Sequence, residues 1–127
     1  MRDGKKLILI IDDDADIRDM LRVVLEKHGY AVQEASNGEE GLKLYRSEPP
    51  DLVIVDLMME EVDSGTIFVK EVRALGGKLP VYMLSSVGDM LHVSIDATEL
   101  GLSGVFQKPI DPPSLVKTLE ARLSREA

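Results

Sequence analysis

The chain predicts a doubly wound α/β sandwich, and three observations carry that expectation. Two apolar runs, Leu7 to Ile11 and Leu52 to Val55, are continuous rather than alternating, as strands covered by helices on both faces must be. Segments with the 3.6-residue apolar period of amphipathic helices separate the strand-like segments. The alternation of strand and helix recurs five times, which selects a parallel sheet joined by right-handed crossovers.

Each element has its own local reason. Leu7 to Ile11 opens the sheet, and Ile17, Met20, Leu21, Val24 and Leu25 then follow i, i+3, i+4, i+7, i+8 spacing, closed by His28 and Gly29. Ala31 to Ala35 is the second strand. Asn37 can cap a helix to about Ser47, which Glu48, Pro49 and Pro50 stop before the third strand, Leu52 to Val55. Phe68, Val72 and Leu75 mark one face of a third helix ended by Gly76 and Gly77. Val81 to Leu84, after Pro80, and Val105 to Gln107, before Pro109, complete five strands. Between them Asp89 to Leu100 has poor periodicity and is helical by elimination. Asp111 as cap, Pro112 in the first turn, and Val116, Leu119 and Leu123 on one stripe make the last of five helices.

Length and composition bound the function. With 127 residues and 44% apolar content, residues 1–127 are expected to form one domain with a core over about residues 6–123. No apolar run approaches the roughly 20 residues of a membrane span, and the start MRDGKKLILIIDDD lacks a signal-peptide cleavage pattern. A soluble, cytoplasmic protein without membrane association is expected. A net charge of -8 argues against direct nucleic-acid binding. Without cysteine, any metal must be held by oxygen or by the two histidines, and His28 and His92 lack ligand-like spacing. The six methionines read as core or rim packing.

Polar groups stand where the buried runs end. Asp12 and Asp13 follow the first strand, Asp56 the third, Ser85 the fourth and Lys108 the fifth. In an open parallel sheet, ligands bind at the carboxyl ends of the strands. Neighbouring first and third strands would crowd three carboxylates there, and that calls for a hard divalent cation such as Mg2+. Lys108 adds a compact positive charge and Ser85 a hydroxyl. A carboxylate beside two cations is suited to attack phosphorus, since both neutralise charge on the transferring oxygens. Asp56 is the better nucleophile, because Asp12 and Asp13 are adjacent and look like a metal-holding pair. Singly, each group has an ordinary reading: Asp12 to Asp14 as a helix-capping turn, Asp56 and Ser85 as loop residues, Lys108 as a solvated lysine. Their conjunction after successive buried runs is what favours a site.

These residues resemble the receiver domain of two-component response regulators over about Lys6 to Leu123. The marks are LILIIDDDADIR, NGEEGLKLYRSEPPDLVIVDLMM, LPVYMLSS and GLSGVFQKPIDPPSL. The resemblance implies a flavodoxin-like, three-layer fold with strand order 2-1-3-4-5. It implies phosphoryl transfer to Asp56 from a sensor histidine kinase or phosphotransfer protein. Asp13, Asp56 and the Met58 backbone carbonyl would ligate Mg2+, with Asp12 acting largely through water. Ser85 and Lys108 would hold the phosphoryl oxygens, and the bond before Pro109 would be cis. Ser85 would move toward the phosphoryl group, repacking the surface of strands four and five with helix four. That surface would recruit a downstream protein or output domain, with a homodimer on phosphorylation among the expected assemblies.

The chain also departs from the family pattern. Where the family usually carries a rotating Tyr or Phe, three residues before its lysine, stands Val105, which cannot swing as a ring does. Phe106 comes one position late and should face the other side of its strand. After Asp56 the chain reads DLMMEEVDSG, with Glu60 in place of the usual proline and Ser64 inserted before Gly65. A similar count gives one extra residue between Ser85 and Gly101. Met58 and Val87 occupy positions that influence hydrolysis in this family, and neither can orient water strongly, so a long-lived phosphorylated form is expected. Two alternatives remain. A receiver-like interaction module that signals without phosphorylation would fit Val105 and the altered loops. A haloacid-dehalogenase-type phosphatase would use Asp12 as nucleophile and Asp14 as acid, but the chain is short for it and lacks a late acidic pair.

Overall fold

The computed structural model describes residues 4–56, 64–77, 79–85, 103–107 and 110–125, with the side chains of 64–67, 85, 124 and 125 outside the description. Five strands, β1 (Leu7–Ile11), β2 (Ala31–Ala35), β3 (Leu52–Asp56), β4 (Val81–Ser85) and β5 (Gly104–Gln107), form one sheet in the order β2-β1-β3-β4-β5. Every neighbouring pair is parallel. The described helices are α1 (Ala15–Lys27), α2 (Gly38–Ser47), α3 (Ser64–Ala74) and α4 (Pro112–Arg125). The helix expected over Asp89 to Leu100 lies outside the described residues, so four helices rather than five are seen.

The period-2 alternation of side chains divides the core in two. Ile8, Ile10, Leu52, Ile54, Tyr82 and Leu84 point to the face that Leu21 and Leu25 of α1 and Leu115, Leu119 and Leu123 of α4 cover. Leu9, Ile11, Val53, Val55, Val81 and Met83 point to the opposite face, against Phe68, Val69 and Val72 of α3 and Leu42, Leu44 and Tyr45 of α2. All five residues of β1 and of β3 are buried, which is why Leu7 to Ile11 and Leu52 to Val55 run apolar without alternation, and β3 ends on the buried Asp56.

Helix ends follow local chemistry. Asp14 caps α1, its carboxylate accepting from the Asp16 N–H at 2.9 Å, and Asn37 caps α2, accepting from the Glu40 N–H at 2.8 Å. His28 closes α1, with Nδ1 2.9 Å from the Val24 carbonyl oxygen, an ordinary helix-end role. At the start of α4 the Asp111 carbonyl accepts from Leu115 N–H, and its carboxylate accepts from Ser114 Oγ at 2.6 Å. One expectation fails: Leu75 is 53% exposed and does not share the buried face of Phe68 and Val72. Helix α3 ends at Ala74, and Gly76 turns the chain away at φ +86°, a left-handed conformation that glycine adopts without strain. Val69 fills the buried face instead.

No described helix is long and apolar enough to cross a membrane.

Candidate functional site

Strand register brings the first acids together. Ile11 pairs with Val55, so Asp12 and Asp56, each one residue further on, leave the sheet at the same level on adjacent strands. Both are buried, at 0% and 2% exposure, whereas Asp13 is exposed. One carboxylate oxygen from each of Asp12, Asp13 and Asp56 lies within 4.8 Å of the others. Two buried carboxylates and a third at the surface are hard oxygen donors crowded on one spot, a donor set suited to a divalent cation of the Mg2+ type.

The turn carrying Asp12 and Asp13 is held from several sides. The Asp12 N–H donates to the Ala35 carbonyl of β2 at 3.1 Å. The Asp12 carboxylate accepts from the Asp14 N–H at 2.9 Å. The Asp12 carbonyl accepts from Arg18 Nη1 at 2.6 Å. Arg18 Nε also lies 3.4 Å from Glu34 of β2, and Arg22 reaches the same carboxylate at 2.9 Å. Asp19 pairs with Arg22, and its ion pair joins Glu34's hydrogen bond in holding the Arg22 guanidinium above its ordinary range, Glu34 first. Neither Arg18 nor Glu34 stood out in the sequence, because their pairing depends on β2 lying beside α1. A basic residue on the first turns of α1 after an acidic strand end was the available signal.

The other expected members are placed less fully. Asp56 pairs with Leu84 and Ser85 with Gln107, so β4 ends beside Asp56 and β5 leads on toward Lys108. The Ser85 side chain, and Met58, Val87, Lys108 and Pro109, lie outside the described residues. Val105 packs with the cluster under α2 and α3, and Phe106 with the cluster under α1 and α4, on opposite sides of the sheet as their parity requires. Asp14 serves as the cap of α1, the helix-capping reading of the acidic turn.

The model of the response regulator receiver domain matches residues 8–120. The chain is a response regulator receiver domain of two-component systems. This receiver is 40% identical over 121 residues to "Probable transcriptional regulator ycf27" of Guillardia theta, covering 95% of this chain and 46% of that protein. It is 32% identical to the transcriptional regulatory protein GlrR of Escherichia coli strain K12, covering 94% of this chain and 27% of the other. The chain thus spans about half or less of the length of these curated relatives. Among solved structures, the Vibrio cholerae chemotaxis protein CheY4 superimposes with a TM-score of 0.85 at 31% identity, covering 93% of this chain and 98% of that one. The receiver domain of NtrX from Brucella abortus gives 0.84 at 26% identity, covering 92% and 98%.

Proposed function

We propose that this receiver takes a phosphoryl group on Asp56 from the phosphohistidine of a sensor histidine kinase or phosphotransfer protein. The observation that supports it is the Asp56 carboxylate, 2% exposed, gathered with those of Asp12 and Asp13 at the carboxyl ends of β1 and β3. An Asp56 oxygen attacks phosphorus as the P–N bond breaks; the electron pair returns to the imidazole, which regains a proton, and an acyl phosphate forms. Asp13, Asp56 and the Met58 carbonyl would hold Mg2+, with Asp12 through water, and the ion supplies neutralising charge for the phosphoryl oxygens. Lys108 and Ser85 donate to those oxygens. The domain's only chemistry is this transfer and the later hydrolysis, which Met58 and Val87 leave slow because neither side chain orients water.

The phosphorylated domain, working in the cytoplasm, then binds a downstream protein or output domain, with a homodimer as one such assembly. With Val105 in place of a swinging ring, the readout rests on the repositioned Ser85 and the chain that follows it rather than on an aromatic rotamer.

The test is incubation with Mg2+ and acetyl phosphate followed by intact mass. A single phosphoryl adduct on wild type and none on Asp56→Ala is expected. No adduct on wild type, or an equal one on the variant, overturns the reading.

A further inference from the structure

We infer that Arg18 is a positioning residue for the metal site, holding the peptide plane between Asp12 and Asp13 through the Asp12 carbonyl. The inference rests on the reading of Asp12, Asp13 and Asp56 as the Mg2+-binding set. The carbonyl that Arg18 Nη1 holds at 2.6 Å belongs to the peptide bond joining the two aspartates. Rotation of that plane would swing Asp13, which is exposed where Asp12 is buried. Beside the Asp12 N–H on Ala35 and the Asp12 carboxylate on the Asp14 N–H, Arg18 adds a restraint on the main-chain carbonyl of the turn.

Arg18 is itself held. Its Nε faces Glu34 at 3.4 Å, and its side chain is only 19% exposed, so the guanidinium forks between β2 and the acidic turn. A guanidinium suits this because its donors are fixed in one plane, whereas an ammonium offers a compact charge that cannot span both partners as well. The electrostatic effect of Arg18 opposes the geometric one, since a cation near the cluster disfavours a second cation. Glu34 answers the Arg18 charge, and Asp19 and Glu26 face Arg22, so two arginines meet three carboxylates and the positive charge of Arg18 is compensated beside the site. Geometry therefore decides the sign: loss of Arg18 weakens metal binding.

The experiment is isothermal titration of the metal-free protein with Mg2+, alongside the Mg2+ dependence of acetyl phosphate uptake. Arg18→Met keeps an apolar stem of similar reach without donors. Its Mg2+ dissociation constant is expected to rise about tenfold, the low end for loss of an outer hydrogen bond to a metal ligand. The uptake rate at saturating Mg2+ stays near wild type. Arg22→Met, which shares Glu34 but does not touch Asp12, is expected to bind as wild type does. Unchanged or tighter binding by Arg18→Met, or equal weakening in both variants, overturns the inference. If Arg18→Met does not fold, Arg18→Lys decides: about threefold weaker binding supports the inference and wild-type affinity overturns it. Wild type that binds no Mg2+ instead sinks the metal-site reading, a separate outcome.

Discussion

Tyr82 and Phe106 stack across β4 and β5 with ring centroids 5.2 Å apart and planes inclined by 25°, on the side of the sheet away from Val105. Leu84 faces Phe106 in the register and Tyr82 faces Gly104, so the rings meet as a diagonal pair. The ring that came one position late is therefore part of the α1–α4 core. Phe106→Leu and Tyr82→Leu should each cost about 1–2 kcal/mol in urea unfolding, with a coupling of about 0.5–1.5 kcal/mol in the double-mutant cycle. Phosphoryl uptake by either variant should match wild type. Additive costs would show that the two rings pack independently.

Gly41 marks a second contact at the same end of the sheet. A Cβ there would lie 2.9 Å from Ile11 Cγ1 and 3.4 Å from Phe68 Cε1, so α2 approaches β1 closely only because this residue has no side chain. Gly41→Ala should destabilise by about 1–3 kcal/mol despite alanine's better helix propensity. A neutral or stabilising result in denaturant unfolding would mean that Ile11 finds another rotamer freely.

Crowding of the three acids gives a prediction in which stability and metal pull in opposite directions. Without metal, charges within 4.8 Å repel, two of them buried. Asp56→Asn should then be more stable than wild type in EDTA by about 1–2 kcal/mol, a fraction of the roughly 4 kcal/mol for unit charges 4 Å apart at an effective dielectric of 20. Mg2+ at a hundred times its dissociation constant should stabilise wild type by about 2.7 kcal/mol and the variant much less. Thermal unfolding of both proteins in EDTA and in Mg2+ measures this, and a variant less stable than wild type in EDTA would contradict it.

Tyr30 sets an alkaline limit. Burial, and then the charge of Glu120, hold its phenol above the ordinary value near 10. A folded pKa above the unfolded one contributes stability that is complete below about pH 10 and is lost as pH rises through the folded value. Tyr30→Phe should flatten the fall in stability above pH 10. The difference in phenolate absorbance between the two proteins should titrate with a midpoint above 10 that moves down in Glu120→Gln. A midpoint below 10 would contradict the burial argument.

How much of this was legible in the sequence depended on whether a feature was local. The runs Leu7 to Ile11 and Leu52 to Val55 announced themselves because burial on both faces excludes polar residues there, and the acids that follow them, Asp12, Asp13 and Asp56, do converge. The opposite facing of Val105 and Phe106 followed from a period of two. Leu75 was misplaced because i+3 spacing continues on paper past Ala74, where the helix ends and the chain enters the turn at Gly76. The Arg18–Glu34 pair and the Gly41–Ile11 approach were hidden, since each joins elements whose distance in space the sequence does not state. The strand order came from resemblance, and the register that levels Asp12 with Asp56 only from coordinates.

The edge strand β2 is tethered on both faces by polar side chains, Glu34 to Arg18 and Arg22 of α1, and Gln33 to Glu48 at the end of α2. Its residues Ala31 to Glu34 are only half-buried. Ion pairs of this exposure are weak individually and are screened by salt. Concentrated salt therefore loosens one margin of the molecule ahead of the rest. β2 stands at the end of the strand order, and an edge strand is the template on which strands of separate molecules add, so the charges on β2 also guard against aggregation.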